Sequence, residues 1–193
     1  MAIDEKCAVV DNDVINHVTD IDGSKEEIAD IARNVFLAME VVAIVHPLVY
    51  EHEVRKDHEK TAWLFSDGVI GTPSLEDVFQ QDPAQRQYYD LLLRDLYHMW
   101  KGRAFGDAFP TAEDVFSFWK RQESLGELHS MVMCYLCGCG MFLSDDSDSK
   151  ALRKTMEMNG LEPVTVYSRK EFVEMLPQGA VPRNKRRAFA HEL

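Results

Sequence analysis

Two apolar runs in this chain end in carboxylates. Cys7-Ala8-Val9-Val10 leads into Asp11-Asn12-Asp13, and Met141-Phe142-Leu143 leads through Ser144 into Asp145-Asp146-Ser147-Asp148. Short apolar runs of this kind read as buried strands, and in an open α/β sheet ligands bind beyond the carboxyl ends of the strands. Two such strands, running parallel as neighbours, bring both acidic clusters to one edge. Carboxylates held close repel one another, so the cluster persists most cheaply with a cation among them. Oxygen ligands select a hard ion, Mg2+ or Mn2+, above all where phosphate oxygens complete the shell. Glu51 and Glu53, following Pro47 early in a helix, and Glu127, at the head of a later one, are placed to join. Taken singly, Asp11, Asp13, Asp145 or Asp148 could equally be a helix cap. Two clusters at equivalent strand ends favour a ligand site.

The elements that must position these acids follow from hydrophobic periodicity. Ser24 and Glu27 form a capping box, behind which Ile28, Ile31, Ala32, Val35, Phe36 and Met39 recur at helical spacing, so 24–39 is an amphipathic helix. Val41–Val45 is a second buried strand, and Pro47 opens a helix running through Val54. After a helix from about Glu127 to Cys137 come a strand at Met141–Leu143, a helix at about Lys150–Met158 closed by Asn159-Gly160, a strand at Val164–Tyr167 and a helix at Ser168–Met175. Strands alternating with helices predict an α/β fold: a central, mainly parallel sheet flanked by helices. The middle, about residues 57–123, reads as a helical insertion. There Tyr88, Leu91, Leu92, Asp95, Leu96 and Met99 share a helix, and Thr111 with Asp114 caps another containing Val115, Phe118 and Trp119. Residues 1–176 are expected to form one domain, with 177–193 a basic C-terminal tail.

With these residues in view, the chain resembles the PIN-domain nucleases. Ala8-Val9-Val10-Asp11-Asn12-Asp13-Val14-Ile15 looks like their opening motif, although Asn12-Asp13 stands where Thr-Asn is usual. His46-Pro47-Leu48-Val49-Tyr50-Glu51-His52-Glu53-Val54 resembles the second motif, a Glu on the helix after the second strand. Leu125-Gly126-Glu127-Leu128-His129-Ser130, with Phe142-Leu143-Ser144-Asp145-Asp146, is similar to the third block. The likeness covers roughly residues 7–56 and 124–176. It implies catalytic Asp11, Glu53, Glu127 and Asp145, and a metal-binding set drawn from Asp11, Glu51, Glu53, Glu127, Asp145, Asp146 and Asp148. It further implies Mg2+ or Mn2+ as cofactor and endoribonuclease activity on RNA. It also implies a toxin-like role with an antitoxin-like partner; a homodimer is a further candidate assembly.

Two other readings compete. Asp11-x-Asp13 and Asp145-Asp146 also resemble haloacid-dehalogenase-type phosphatases, in which the first Asp is a nucleophile and the second a general acid. Against this, Val14 and Ile15 stand where Gly or Thr is usual, and a Lys between the clusters is hard to place. The third reading is a non-catalytic interaction module, supported by Tyr88, Tyr89, Trp100, Phe105, Phe116, Phe118 and Trp119 in the middle region. Aromatics at helical spacing are more often core. His46, His52, His58 and His129 lie near the acids, where a hydrogen-bonded histidine is the ordinary outcome and a ligand or proton shuttle the exception.

Composition bounds the rest. Lys and Arg total 21 against 33 Asp and Glu, a net charge of −12, which excludes a broad basic surface. The one dense basic run is Arg183-Asn184-Lys185-Arg186-Arg187, read as a solvated terminus that could hold a nucleic-acid backbone through Arg183, Lys185, Arg186 and Arg187. No apolar run is long enough to span a membrane, and no signal peptide is evident, so a cytoplasmic protein is expected. Cys7, Cys134, Cys137 and Cys139 read as small buried thiols, with zinc the alternative.

Overall fold

Cys7–Val10 (β1) is the centre of the molecule: all four of its residues are buried, as a parallel strand covered on both faces must be. The computed structural model describes residues 3–111, 114–120 and 123–190, apart from the side chains of 57 and 58. Val42–Ile44 (β2) and Met141–Leu143 (β3) flank β1, and Val166–Tyr167 (β4) lies outside β3, giving the order β2-β1-β3-β4. All pairings are parallel. The register sets Val10 opposite Leu143, so β1 and β3 end level and the Asp11 N–H donates to the Leu143 carbonyl at 2.9 Å.

Helices cover both faces. Asn12–Thr19 (α1), Lys25–Ala38 (α2), Pro47–His52 (α3), a 3-10 turn at Val54–Asp57, His58–Ser66 (α4), Leu75–Val78 (α5), Pro83–Lys101 (α6) and Phe105–Ala108 (α7) precede β3 along with Leu125–Cys137 (α8). Ser147–Met158 (α9), Arg169–Glu174 (α10) and Arg183–Ala190 (α11) follow it. The Ser24–Glu27 capping box forms. Cys7 and Val9 face a core shared with α6, α8 and α9, while Ala8 and Val10 face one shared with α1, α2 and α10. This is the expected α/β architecture. No helix among the described residues is long and apolar enough to cross a membrane.

Two segments differ from expectation. Asp114–Lys120 is a turn followed by irregular chain rather than a helix. Its aromatics diverge: Phe116 packs on Phe79 and Tyr89, Phe118 on Phe109, and Trp119 on His52 and His129. One helical face cannot serve those three directions. The basic run is not a solvated terminus but begins α11, whose Phe189 is wholly buried against Phe36 and Phe172.

Candidate functional site

Asp11 sits where β1 turns into α1, and only 3% of it is exposed. One carboxylate oxygen accepts the Asn12 N–H at 2.8 Å, which also caps α1; the other accepts the Ser144 hydroxyl at 3.0 Å. Capping and site membership are thus both true of this residue. Ser144 is itself buried, and receives the Ser149 hydroxyl at 2.9 Å and the Asp146 N–H at 3.2 Å. Burial first, and then the charges of Asp13 and Glu127, push the Asp11 carboxyl well above the ordinary carboxylate range.

Glu127 enters from the opposite side, in the first turn of α8. Burial raises its carboxyl to about 7, with Glu53, Asp146 and Asp148 adding repulsion. Glu53 lies across Gly126: a Cβ on that glycine would stand 3.0 Å from the Glu53 Oε1 atom. Gly126 therefore provides the seat in which the Glu53 side chain rests. Asp13, expected as a helix cap or, in the phosphatase reading, a general acid, accepts the Asp145 N–H at 2.8 Å and is raised mainly by burial. Asp11, Asp13, Glu53, Glu127, Asp146 and Asp148 form one electrostatically linked group at the carboxyl edge of the sheet.

Two expected members are ion-paired. Glu51 ion-pairs with Arg55 one turn along, at 2.6 Å, on the solvent side. Asp145 adds its repulsion to Asp13 but has a cation of its own: it is ion-paired through its Oδ2 atom to Arg169, accepts the Arg169 N–H at 2.9 Å and lies 3.5 Å from His17. The burial of Arg169, 5% exposed, explains the pairing, because a buried guanidinium requires an anion. Asp146 caps α9 through the Asp148 N–H at 2.9 Å. Asp148 accepts the Ser124 hydroxyl at 2.6 Å and lies 3.7 Å from the Lys101 ammonium. Neither Ser144 nor Ser124 carries a sequence signal of its own.

His46 and His129 are structural. Tyr89 Oη bridges His46 Nε2 at 2.9 Å and His129 Nδ1 at 2.7 Å, and all three residues are fully buried. His46 Nδ1 accepts the Leu48 N–H at 3.1 Å, so its Nε2 donates to Tyr89 and the tyrosine hydroxyl donates to His129. Burial keeps both rings neutral, holding His46 well below its usual range and His129 down at about 3. The bridge joins the start of α3, α6 and α8 beneath the acids. His52 stacks on Trp119, and His58 has its side chain outside the described residues. Tyr89 and Phe105 are core, whereas Tyr88 is 49% exposed.

Among the described residues, no three His, Cys, Asp or Glu side chains form a group that could hold a metal ion as they stand. The donor chemistry nonetheless fits a hard divalent cation. The group is all carboxylate, burial and mutual repulsion raise Asp11, Asp13 and Glu127 within it, and Lys101 meets it at Asp148. Comparison of the chain with protein-family models, with curated proteins and with solved structures found no match.

Proposed function

We propose that this chain is a metal-dependent nuclease hydrolysing RNA phosphodiesters, with Mg2+ or Mn2+ held at the acidic edge. The observation that carries this reading is the gathering of carboxylates around buried Asp11 and Glu127: Asp13 and Glu127 repel the Asp11 charge, and Glu53, Asp146 and Asp148 repel that of Glu127. Asp11 and Glu127 would hold the ion, with Glu53, Asp146 and Asp148 around it. Asp13 keeps the β3–α9 loop in place through the Asp145 N–H.

The chemistry that a bound divalent ion supplies is neutralisation of phosphate charge and a lowered pKa for an attacking water. The remaining work falls to the chain. Ser144 orients the Asp11 carboxylate, and Gly126 seats Glu53. Lys170, Arg183, Arg186 and Arg187 line a cavity of about 800 Å3 between α10 and α11. This basic face suits a phosphate backbone, and the helix it shares begins at Arg169, the partner of Asp145.

Single-stranded RNA incubated with the chain and Mn2+ tests the reading. Cleavage that chelator stops is expected; RNA left intact at every divalent ion tried would sink it. Phosphomonoester hydrolysis without RNA cleavage would instead favour the phosphatase reading, which Lys101 at the acidic edge supports. A second prediction concerns the basic face. Replacing both Arg183 and Arg187 by Ser should flatten the slope of log affinity against log salt by about 1.4, roughly 0.7 per single-strand phosphate contact. Titration of labelled RNA at several salt concentrations measures it, and an unchanged slope would remove these arginines from the interface.

A further inference from the structure

All four cysteines of the chain gather at the amino edge of the sheet, opposite the acids. Cys7 begins β1, Cys134 and Cys137 lie in the last turns of α8, and Cys139 precedes β3. Gly140 makes the gathering possible: a Cβ there would stand 2.3 Å from the Glu5 carbonyl oxygen, so only glycine lets these two chain segments close. The Gly140 N–H then donates to the Cys7 carbonyl at 3.1 Å.

Within this group one pair is singled out by backbone geometry. Helix α8 ends at Gly138, which adopts the left-handed conformation at φ 67°. The Cys139 N–H then reaches back to the Cys134 carbonyl at 3.0 Å, the six-to-one hydrogen bond of a Schellman motif. That motif brings together the side chains of its first and last residues, ordinarily as an apolar contact. Here both are thiols, and they interact with each other. Each remaining sulfur has other neighbours: Cys137 donates to the Val78 carbonyl at 3.4 Å, and Cys7, which also feels Cys139, lies 3.9 Å from an Asp4 carboxylate oxygen; Cys134 itself lies 3.8 Å from the Met141 carbonyl.

We propose that Cys134 and Cys139 are an oxidisable thiol pair, which a peroxide closes into an intramolecular disulfide. Cys139 is the attacking group. It is half-buried, and with Cys134, Tyr88, Tyr135 and Glu162 it lines a cavity of about 560 Å3 that admits a small oxidant. Cys134 is 1% exposed, and burial holds its thiol protonated. In the first step the Cys139 sulfur takes one peroxide oxygen and the O–O bond breaks; the thiol's proton joins the departing hydroxide as water, and a sulfenic acid is left. In the second the Cys134 sulfur displaces the sulfenic oxygen as a second water and the S–S bond forms. The peroxide gains two electrons and the two sulfurs supply them; an external thiol reverses the change. Nothing in this proposal depends on the nuclease reading.

The test is a thiol count on the full chain after treatment with hydrogen peroxide, followed by alkylation in denaturant and peptide mapping. The reduced protein should show four thiols and the oxidised one two, with the link mapped to Cys134 and Cys139, and dithiothreitol should restore four. Cys139→Ser should keep all three of its remaining thiols at the same peroxide dose. Cys134→Ser should instead accumulate a sulfenic acid on Cys139 that dimedone captures, with circular dichroism showing both variants folded. Four thiols persisting in the wild type, a link through Cys7 or Cys137, or one zinc per chain protecting the thiols would each overturn the proposal.

Discussion

Replacing Asp11 by Asn, or Glu127 by Gln, is expected to lower Mn2+-dependent RNA cleavage by at least about 100-fold, the scale on which a single preorganised stabiliser of transition-state charge acts. Both exchanges preserve shape while removing a negative charge from the proposed ion site; at position 11 the amide keeps one oxygen for the two donors, the Asn12 N–H and the Ser144 hydroxyl. Glu127→Gln should also stabilise the metal-free protein, because it removes a buried carboxylate that its neighbours oppose. The pH dependence has a definite sign. The Glu127 carboxyl titrates at about 7 in the folded chain against 4.5 ordinarily, so its contribution to stability is complete below pH 4.5 and is lost as pH rises through 7. Buried His129, held at about 3, acts the other way: its contribution is complete above its ordinary value of 6.5 and is lost as pH falls toward 3. Comparing the wild type with Glu127→Gln cancels the histidine contribution. The melting temperature of the variant should exceed that of the wild type by more at pH 8 than at pH 5, and Mn2+ should narrow the gap at pH 8. A folded Asp11→Asn protein cleaving RNA at the wild-type rate would remove Asp11 from the site.

Asp145→Ala is expected to cost about 3 kcal/mol, the lower end of what breaking a buried ion pair costs. The lower end applies because the Asp145 side chain is 24% exposed, although that of Arg169 is only 7%. For a chain of this size the melting temperature should fall by roughly 6–12 °C. The damage should spread from the β3 edge to the C-terminal helix, since Arg169 also donates to the Phe189 carbonyl at 3.3 Å. Asp145→Ala combined with Arg169→Met should recover part of the loss, because no buried charge is then left unpaired. Thermal melts of the three variants measure these effects. In the proposed enzyme Asp145→Asn, assayed below its melting transition, should cleave RNA within a few-fold of wild type. Complete loss of cleavage there would restore Asp145 as an ion ligand.

The strands and their acidic ends were legible because their causes are local. A doubly covered parallel strand must be apolar throughout, as Val9-Val10 and Phe142-Leu143 are, and the capping box at Ser24 lies within four residues. Choosing among neighbouring acids was not legible, because it depends on groups far along the chain. Asp145 is given a cation of its own by Arg169, 24 residues later. Glu53 turns inward because the helix has already ended at His52, leaving Glu53 at a non-helical φ of −122°, so helical spacing from Pro47 could not rank it against Glu51. The α11 helix was hidden for a similar reason: its one deeply buried side chain, Phe189, follows a run of charge that reads as solvated.

The strand order carries a consequence for how the molecule is made. The partners of β1 arrive at very different times: β2 follows shortly, whereas β3 closes only with contacts such as Ser144 to Asp11, 133 positions apart. Until then a chain holding β1 and β2 presents the Val9-Val10 strand as an open, wholly apolar edge, the kind of surface on which chains pair with one another. Closure over such a separation is slow, so aggregation competes with folding during that interval. Docking of α8 and β3 ends the exposure by the same step that brings Glu127 to Asp11. A chain that has assembled its acidic edge is therefore one that has already passed its most aggregation-prone stage.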